Sequence, residues 1–244
     1  VHDDDDESRA QALTQEQAAR FLAAARADRY AALWHVLLLG GLRPGEAFGL
    51  TWANVTAGIV RVRHSLTRIR GVAGWQLTPP KTRRGRRDVP LPDVAVRELR
   101  RWKAHQAQER LALGADYQDH GFVFTVPCGP PLIASNLYDV SFRRVMAAAN
   151  GPEGVDGDLG TWGPAPTKPR SGPTPRRVFY PKFRVYDLRH TCATMLLAGG
   201  IPVQVVSERL GHKDVTTTMN VYQHVQPTMQ EAAVDKLEAM FGTA

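Results

Sequence analysis

Cysteine is nearly absent: Cys128 and Cys192 are the only two among 244 residues. That is too few for a disulfide framework or a thiolate metal site; it fits a reducing compartment, and both read as small packing residues. Long apolar runs are missing too. The longest, AALWHVLLL at 31–39, falls far short of the roughly 20 residues a membrane span needs. It also lies too deep in the chain, and lacks the small-residue cleavage site, to be a secretory leader. A cytoplasmic protein with no membrane partner is expected, and the Ala- and Arg-rich composition suggests a bacterial one. No repeat of fixed period, phosphate-binding glycine loop or metal-ligand spacing is present, so no cofactor is expected. Acid is scarce beyond the first eight residues: VHDDDDES holds four Asp and one Glu without a basic residue, and since the whole chain carries a formal +7, the rest carries +12. Such an excess of positive charge points to a polyanionic partner.

Against these absences stands a mainly helical pattern. TQEQAARFLAAARAD, 14–28, opens with a Thr three residues before a Gln, a capping-box signal ahead of helical apolar spacing. A second helix is expected over 29–39, ending at Gly40 and Gly41, with Pro44 at the first position of another. Between 59 and 92 the pattern turns to alternation, predicting three short antiparallel strands. Helices follow at 92–113, 134–149, 184–198, 202–210, 215–224 and 227–240, with Gly211 as a terminator. The fold class expected is α+β, mainly helical with a small three-stranded antiparallel sheet. Residues 1–12 read as an acidic, disordered or linking segment and 13–244 as one domain. Within it, 150–183 is a Pro- and Gly-rich basic insertion with no acid from Gly160 onward.

Four constellations carry chemistry. In GGLRPGEAFGL, Arg43 stands at a helix entrance, where a guanidinium fork and unpaired amides suit a phosphate oxygen; a surface pair with Glu46 one turn on is the plainer alternative. In PPKTRRGRRDVPLP, Lys81, Arg83, Arg84, Arg86 and Arg87 fall together at a strand turn; a solvated charge run is the commoner origin of such clusters, a grip on a nucleic-acid backbone the sharper one. In VYDLRHTCATMLLAGG, Tyr186, Arg189 and His190 share one helical turn and can present a donor, a fork and an imidazole together, or merely decorate a capped helix. In RLGHKDVTTTMNVYQHV, His212 follows a Gly-terminated helix and Tyr222 lies ten residues on, where a half-buried tyrosine with a wet hydroxyl is the ordinary explanation.

Taken in order, the blocks GLRPGE, PPKT, DLRHT, LGH and TTTMNVY resemble the catalytic domain of the tyrosine recombinases, the phage-type integrases, from about Leu13 to Tyr222. By that resemblance Arg43 and Arg189 are the two catalytic arginines, Lys81 the lysine on the turn between strands, His212 the histidine after Leu-Gly, and Tyr222 the nucleophile. Glu46 matches a supporting acidic position; His190, because it follows the arginine, either joins the site or supports it by packing, the second being favoured. Tyr186 takes the place where most members carry a histidine. A phenol donates a hydrogen bond readily but is a poor general base near neutrality, so His190 or Lys81 takes over that role, or proton removal from Tyr222 is less assisted than usual.

The function implied is site-specific cleavage and rejoining of double-stranded DNA through a 3′-phosphotyrosyl intermediate, by a homo-tetramer on DNA that is a monomer when free, with an accessory DNA-bending or directionality factor. A non-catalytic DNA-binding module of the same fold, and a type IB topoisomerase, are the alternatives. Lys168, Arg170, Arg176, Arg177 and Lys182 in the insertion are expected to contact DNA and to order on binding. The final helix, 227–240, is expected to dock on a neighbouring protomer. Family members generally carry upstream DNA-clamping domains; before Leu13 there is too little sequence for one, so the chain is expected to be an isolated catalytic domain, a piece of a longer protein.

Overall fold

Thr14 starts the first helix as the sequence predicts. Its hydroxyl accepts from the Gln17 amide at 3.2 Å, and the Gln17 side chain accepts from the Thr14 amide at 2.9 Å. The computed structural model describes residues 11–67, 74–80, 83–133, 137, 141–150 and 183–222. Its helices are α1 (Gln15–Ala25), α2 (Ala31–Gly40), α3 (Pro44–Phe48), α4 (Asp93–Leu113), α5 (Arg143–Asn150), α6 (Asp187–Ala198), α7 (Val203–Leu210) and α8 (Val215–Tyr222). The insertion's basic residues Lys168, Arg170, Arg176, Arg177 and Lys182, the turn lysine Lys81, the segment 1–10 and the helix expected at 227–240 all lie outside the described residues.

α2 is the axis of the core. Every residue from Ala31 to Leu38 is buried, so this helix is apolar all round and must be enclosed by neighbours. It packs against α4 on one side and α6 on another, while α1 lies on α5. Its two polar members are satisfied internally. Trp34 donates to Asp28 and Ser141, and the buried His35 ring shares a 2.8 Å hydrogen bond with the Ala31 carbonyl. The helix stops at Gly41, which takes a left-handed φ of 64° and closes it by donating to the Leu37 carbonyl.

The small three-stranded antiparallel sheet the sequence predicts is present, and among the described residues a separate two-stranded ribbon accompanies it. β1 (Val55–Thr56), β2 (Ile59–Val62) and β5 (Arg87–Pro90) form an antiparallel sheet in the order β1-β2-β5, and β3 (Ser65–Thr67) pairs separately with β4 (Gln76–Thr78). The β1–β2 turn places Ala57 and Gly58 both at positive φ, as a two-residue type I′ hairpin requires. β2 and β5 pair Val60 with Val89 and Val62 with Arg87. In β5 burial alternates, with Arg87 and Val89 inward and Asp88 and Pro90 outward.

The near end of the described chain is fastened to α6. Leu13, 2% exposed, donates its amide to the Thr191 hydroxyl at 3.1 Å, and Thr191 in turn donates to the Asp187 carbonyl one turn back. Asp187, fully buried, accepts from the Arg184 amide at 2.7 Å and so fixes the start of that helix.

Candidate active site

Arg43 is the N-cap of α3, two residues beyond the bend at Gly41, with Pro44 at the first helical position. Glu46, 4% exposed, reaches back so that one carboxylate oxygen accepts from the Arg43 amide at 2.9 Å and the other from the Arg43 guanidinium at 3.0 Å. Both sequence readings of Arg43 are thus compatible: it pairs with Glu46, yet its side chain remains a third exposed.

Arg189 comes to the same place from 146 positions away in sequence. It is 3% exposed, and two donors of its fork reach the Gly41 carbonyl at 2.6 Å and the Leu210 carbonyl at 2.7 Å. Tyr186 stands just before α6 as its N-cap residue rather than within the helix, is half-buried, and lies within electrostatic reach of Arg189. His190, half-buried, follows Arg189 on the helix. His212 comes directly after Gly211, which ends α7 at a left-handed φ of 68°. It is 7% exposed, and its Nδ1 shares a 2.8 Å hydrogen bond with the Thr218 hydroxyl of α8. Tyr222 is the last residue of that helix, one turn beyond Thr218.

The arginine cluster at the strand turn divides. Arg84 and Arg86 are exposed, and Arg84 donates to the Lys213 carbonyl at 2.9 Å; Arg83 lies in a single 3-10 turn, Arg83–Gly85. Arg87, expected with its neighbours on a DNA backbone, is instead 9% exposed. Its fork donates to both oxygens of Glu46, at 3.0 and 2.9 Å, and its Nε donates to the Arg209 carbonyl at 2.6 Å. A guanidinium so committed to a buried carboxylate is not a surface contact. Arg209 is a residue the sequence reading did not name: it donates to the Leu39 and Pro90 carbonyls, joining α7 to α2 and β5.

Three guanidinium groups and one carboxylate leave this buried cluster with an excess of positive charge, and the titration behaviour follows. Burial would raise Glu46, but the hydrogen bonds and charge of Arg87, with Arg189 and Arg43 behind it, hold it down at about 2. Burial, and then the charges of Arg43 and Arg87, draw Arg189 down to about 9. His212 is pushed to about 3, by burial first and then by the three arginines, so its imidazole is neutral at neutral pH. A site that suppresses its own positive charge in this way is relieved by an anion.

One stability prediction follows from His212. Its folded-state value lies below its ordinary 6.5, so on acidification the unfolded chain takes up a proton that the folded chain refuses. Stability is full above pH 6.5 and declines as pH falls from there toward 3, by at most about 1.4 kcal/mol per pH unit for this group. His35, also lowered by its burial in α2, adds in the same sense. Thermal melting across pH 4–7 should show the decline, and His212→Asn should make it shallower; an unchanged slope in that variant would contradict the assignment.

Among the described residues no helix is long and apolar enough to cross a membrane. Among them too, no three His, Cys, Asp or Glu side chains are placed to hold a metal ion.

A model of the phage integrase family matches residues 166–229. The chain is 28% identical over 247 residues to a protein of Caldanaerobacter subterraneus subsp. tengcongensis named tyrosine recombinase XerC-like, with 96% of this chain and 56% of the relative covered. It is 32% identical over 229 residues to an integrase of Streptomyces ambofaciens, with 91% and 52% covered. In fold it is similar to the Tn1549 transposon integrase, solved in complex with transposon right end DNA, with a TM-score of 0.67 at 22% identity over 93% of this chain and 66% of that one. The chain spans about half the length of the two curated relatives.

Proposed function

Because the chain belongs to the phage integrase family of tyrosine recombinases, we propose that it cleaves and rejoins double-stranded DNA at specific sites through a 3′-phosphotyrosyl intermediate. The observation that carries this reading is the meeting of Arg43 and Arg189, far apart in sequence, about one buried carboxylate, with His212 beside them. Two forks on one phosphodiester can neutralise its nonbridging oxygens as charge builds up in the pentavalent transition state, where fixed charge contributes most.

In the reaction proposed, the phenolic oxygen of Tyr222 forms a bond to phosphorus as the bond from phosphorus to the 5′ oxygen breaks. The phenolic proton leaves to solvent or to His190, and Lys81 supplies a proton to the departing 5′ oxygen, leaving a 3′-phosphotyrosyl link and a free 5′-hydroxyl. Arg43 and Arg189 hold the nonbridging oxygens, and neutral His212 donates a hydrogen bond to one of them. Tyr186 adds a donor at the position where the family resemblance implies a histidine. Attack by a 5′-hydroxyl from a second duplex reverses the step and joins new ends, so the bond energy is conserved without a nucleotide.

Strand exchange between two sites requires the chain to assemble on DNA, as a tetramer in this reading, with accessory proteins setting direction and the setting a bacterial cytoplasm. The basic insertion 150–183 and the exposed Arg84 and Arg86 are the proposed DNA-backbone contacts.

The test is a duplex nicked close to the cleavage point, which lets the short 5′ fragment diffuse away and traps the adduct. A covalent protein–DNA species that forms with Tyr222 and disappears in Tyr222→Phe is expected. No adduct with Tyr222 intact would favour an inert DNA-binding module. A two-site recombination assay run beside supercoil relaxation separates strand exchange from topoisomerase action.

A further inference from the structure

The residue that binds this site together most extensively is one the recombinase reading does not use. Arg87 spends four of its five donors on three separate segments. Two reach Glu46 in α3, one the Gly85 carbonyl at 3.2 Å in the turn before β5, and one the Arg209 carbonyl at the end of α7. Glu46 in return has each oxygen shared between Arg87 and Arg43, one through the Arg43 side chain and the other through its backbone amide. A carboxylate offers about four lone-pair sites, so all are taken. Gly211, whose next residue is His212, lies so close that a Cβ there would stand 2.9 Å from a guanidinium nitrogen of Arg87.

We propose that Arg87 is a positioning residue for the phosphate site: its fork holds Glu46 in the pose from which Glu46 orients Arg43, and the same guanidinium sets the last turn of α7, from which His212 follows. The inference rests on the recombinase reading and adds a residue to it. Without Arg87, Glu46 would be balanced only by Arg43 on its own helix and Arg189 on α6, with His212 neutral beside them. The carboxylate would then pull the Arg43 fork toward itself and away from a DNA phosphate, and it would also protonate at a higher pH, since the largest influence that keeps it ionised is gone.

The experiment compares wild type, Arg87→Met and Arg87→Lys in the nicked-duplex cleavage assay between pH 5 and 8, alongside DNA affinity against salt. For Arg87→Met, cleavage should slow by about a hundredfold and acquire a loss of rate on the acid side that wild type lacks. The salt dependence of DNA affinity should fall by no more than the one contact of the displaced Arg43, because Arg87 itself is buried against Glu46. Arg87→Lys keeps the charge but not the two-point grip. It should restore the flat pH profile while remaining about tenfold slow, and it gives a folded comparison if the methionine variant is too unstable to assay.

Wild-type rate and profile in Arg87→Met would overturn the proposal. So would full recovery of rate in Arg87→Lys, because geometry would then be irrelevant. A salt dependence reduced by about one further phosphate contact when Arg87→Met is added to Arg43→Gln would make Arg87 a DNA ligand instead. Absence of an adduct in wild type is a different failure, that of the recombinase reading itself.

Discussion

Arg189→Gln should damage the protein on two counts, slowing DNA cleavage by about 10²- to 10³-fold, the usual effect of removing one preorganised electrostatic donor, and lowering its melting temperature. The second loss arises because Arg189 is structural as well as chemical. Its fork satisfies the buried carbonyls of Gly41 and Leu210, and each left without a donor costs about 1–3 kcal/mol. Relief of repulsion among Arg43, Arg87 and Arg189, the cause that depresses Arg189 after burial itself, offsets part of this. Arg43→Gln should slow cleavage to a similar extent yet lower the melting temperature less, because its side chain is a third exposed whereas Arg189 is 3% exposed and bonded to two buried carbonyls. Single-turnover cleavage and thermal melting of the two variants side by side decide the matter. An Arg189→Gln protein that cleaves at nearly the wild-type rate would remove Arg189 from the phosphate site.

Gly41→Ala should be among the most destabilising single-methyl additions in the molecule. The backbone there is left-handed, which costs a residue with a Cβ about 1–2 kcal/mol. The added carbon would lie 2.5 Å from a Leu210 methyl and 3.2 Å from the Cys192 sulfur. Leu210 is fully buried among Ala193, Leu197 and Val206, so it cannot swing aside freely, and overpacking adds about 1–3 kcal/mol. Together these predict a loss of about 2–5 kcal/mol and a fall of roughly 5–15 °C in melting temperature for a domain of this size. Gly200→Ala is the control. Its φ of 79° carries the same backbone strain, but nothing stands within 4 Å of the new carbon. Equal losses in the two variants would show that the contact with Leu210 contributes nothing.

Much of the fold was legible because its signals are local. The Thr14–Gln17 capping box, Pro44 at a helix start and Gly211 at a helix end are decided within a few residues, and each is found where the sequence puts it. The sheet was harder. β2 finds its partner in β5, some 25 residues on, and nothing in the intervening alternation says that β3 and β4 will pair off as a separate ribbon. Arg87 was misread for a related reason: in a run of five basic residues, charge density outweighs position. Yet the signal was there, because Arg87 and Val89 alternate with Asp88 and Pro90, and period-two alternation puts the arginine on the same inward face as the valine. Arg209 offered no comparable clue, since its role is set by carbonyls of α2 and β5 that meet α7 only in the folded chain.

The bend at Gly41 has one more consequence. Its carbonyl receives Arg189, and two residues later the same stretch of backbone becomes Arg43. The gauge between the two guanidinium groups is therefore cut from a single length of main chain and not relayed across the core by a train of side chains. In the reaction proposed, a shift of that bend would carry Arg43 and one of the two anchors of Arg189 together, the other anchor being the Leu210 carbonyl.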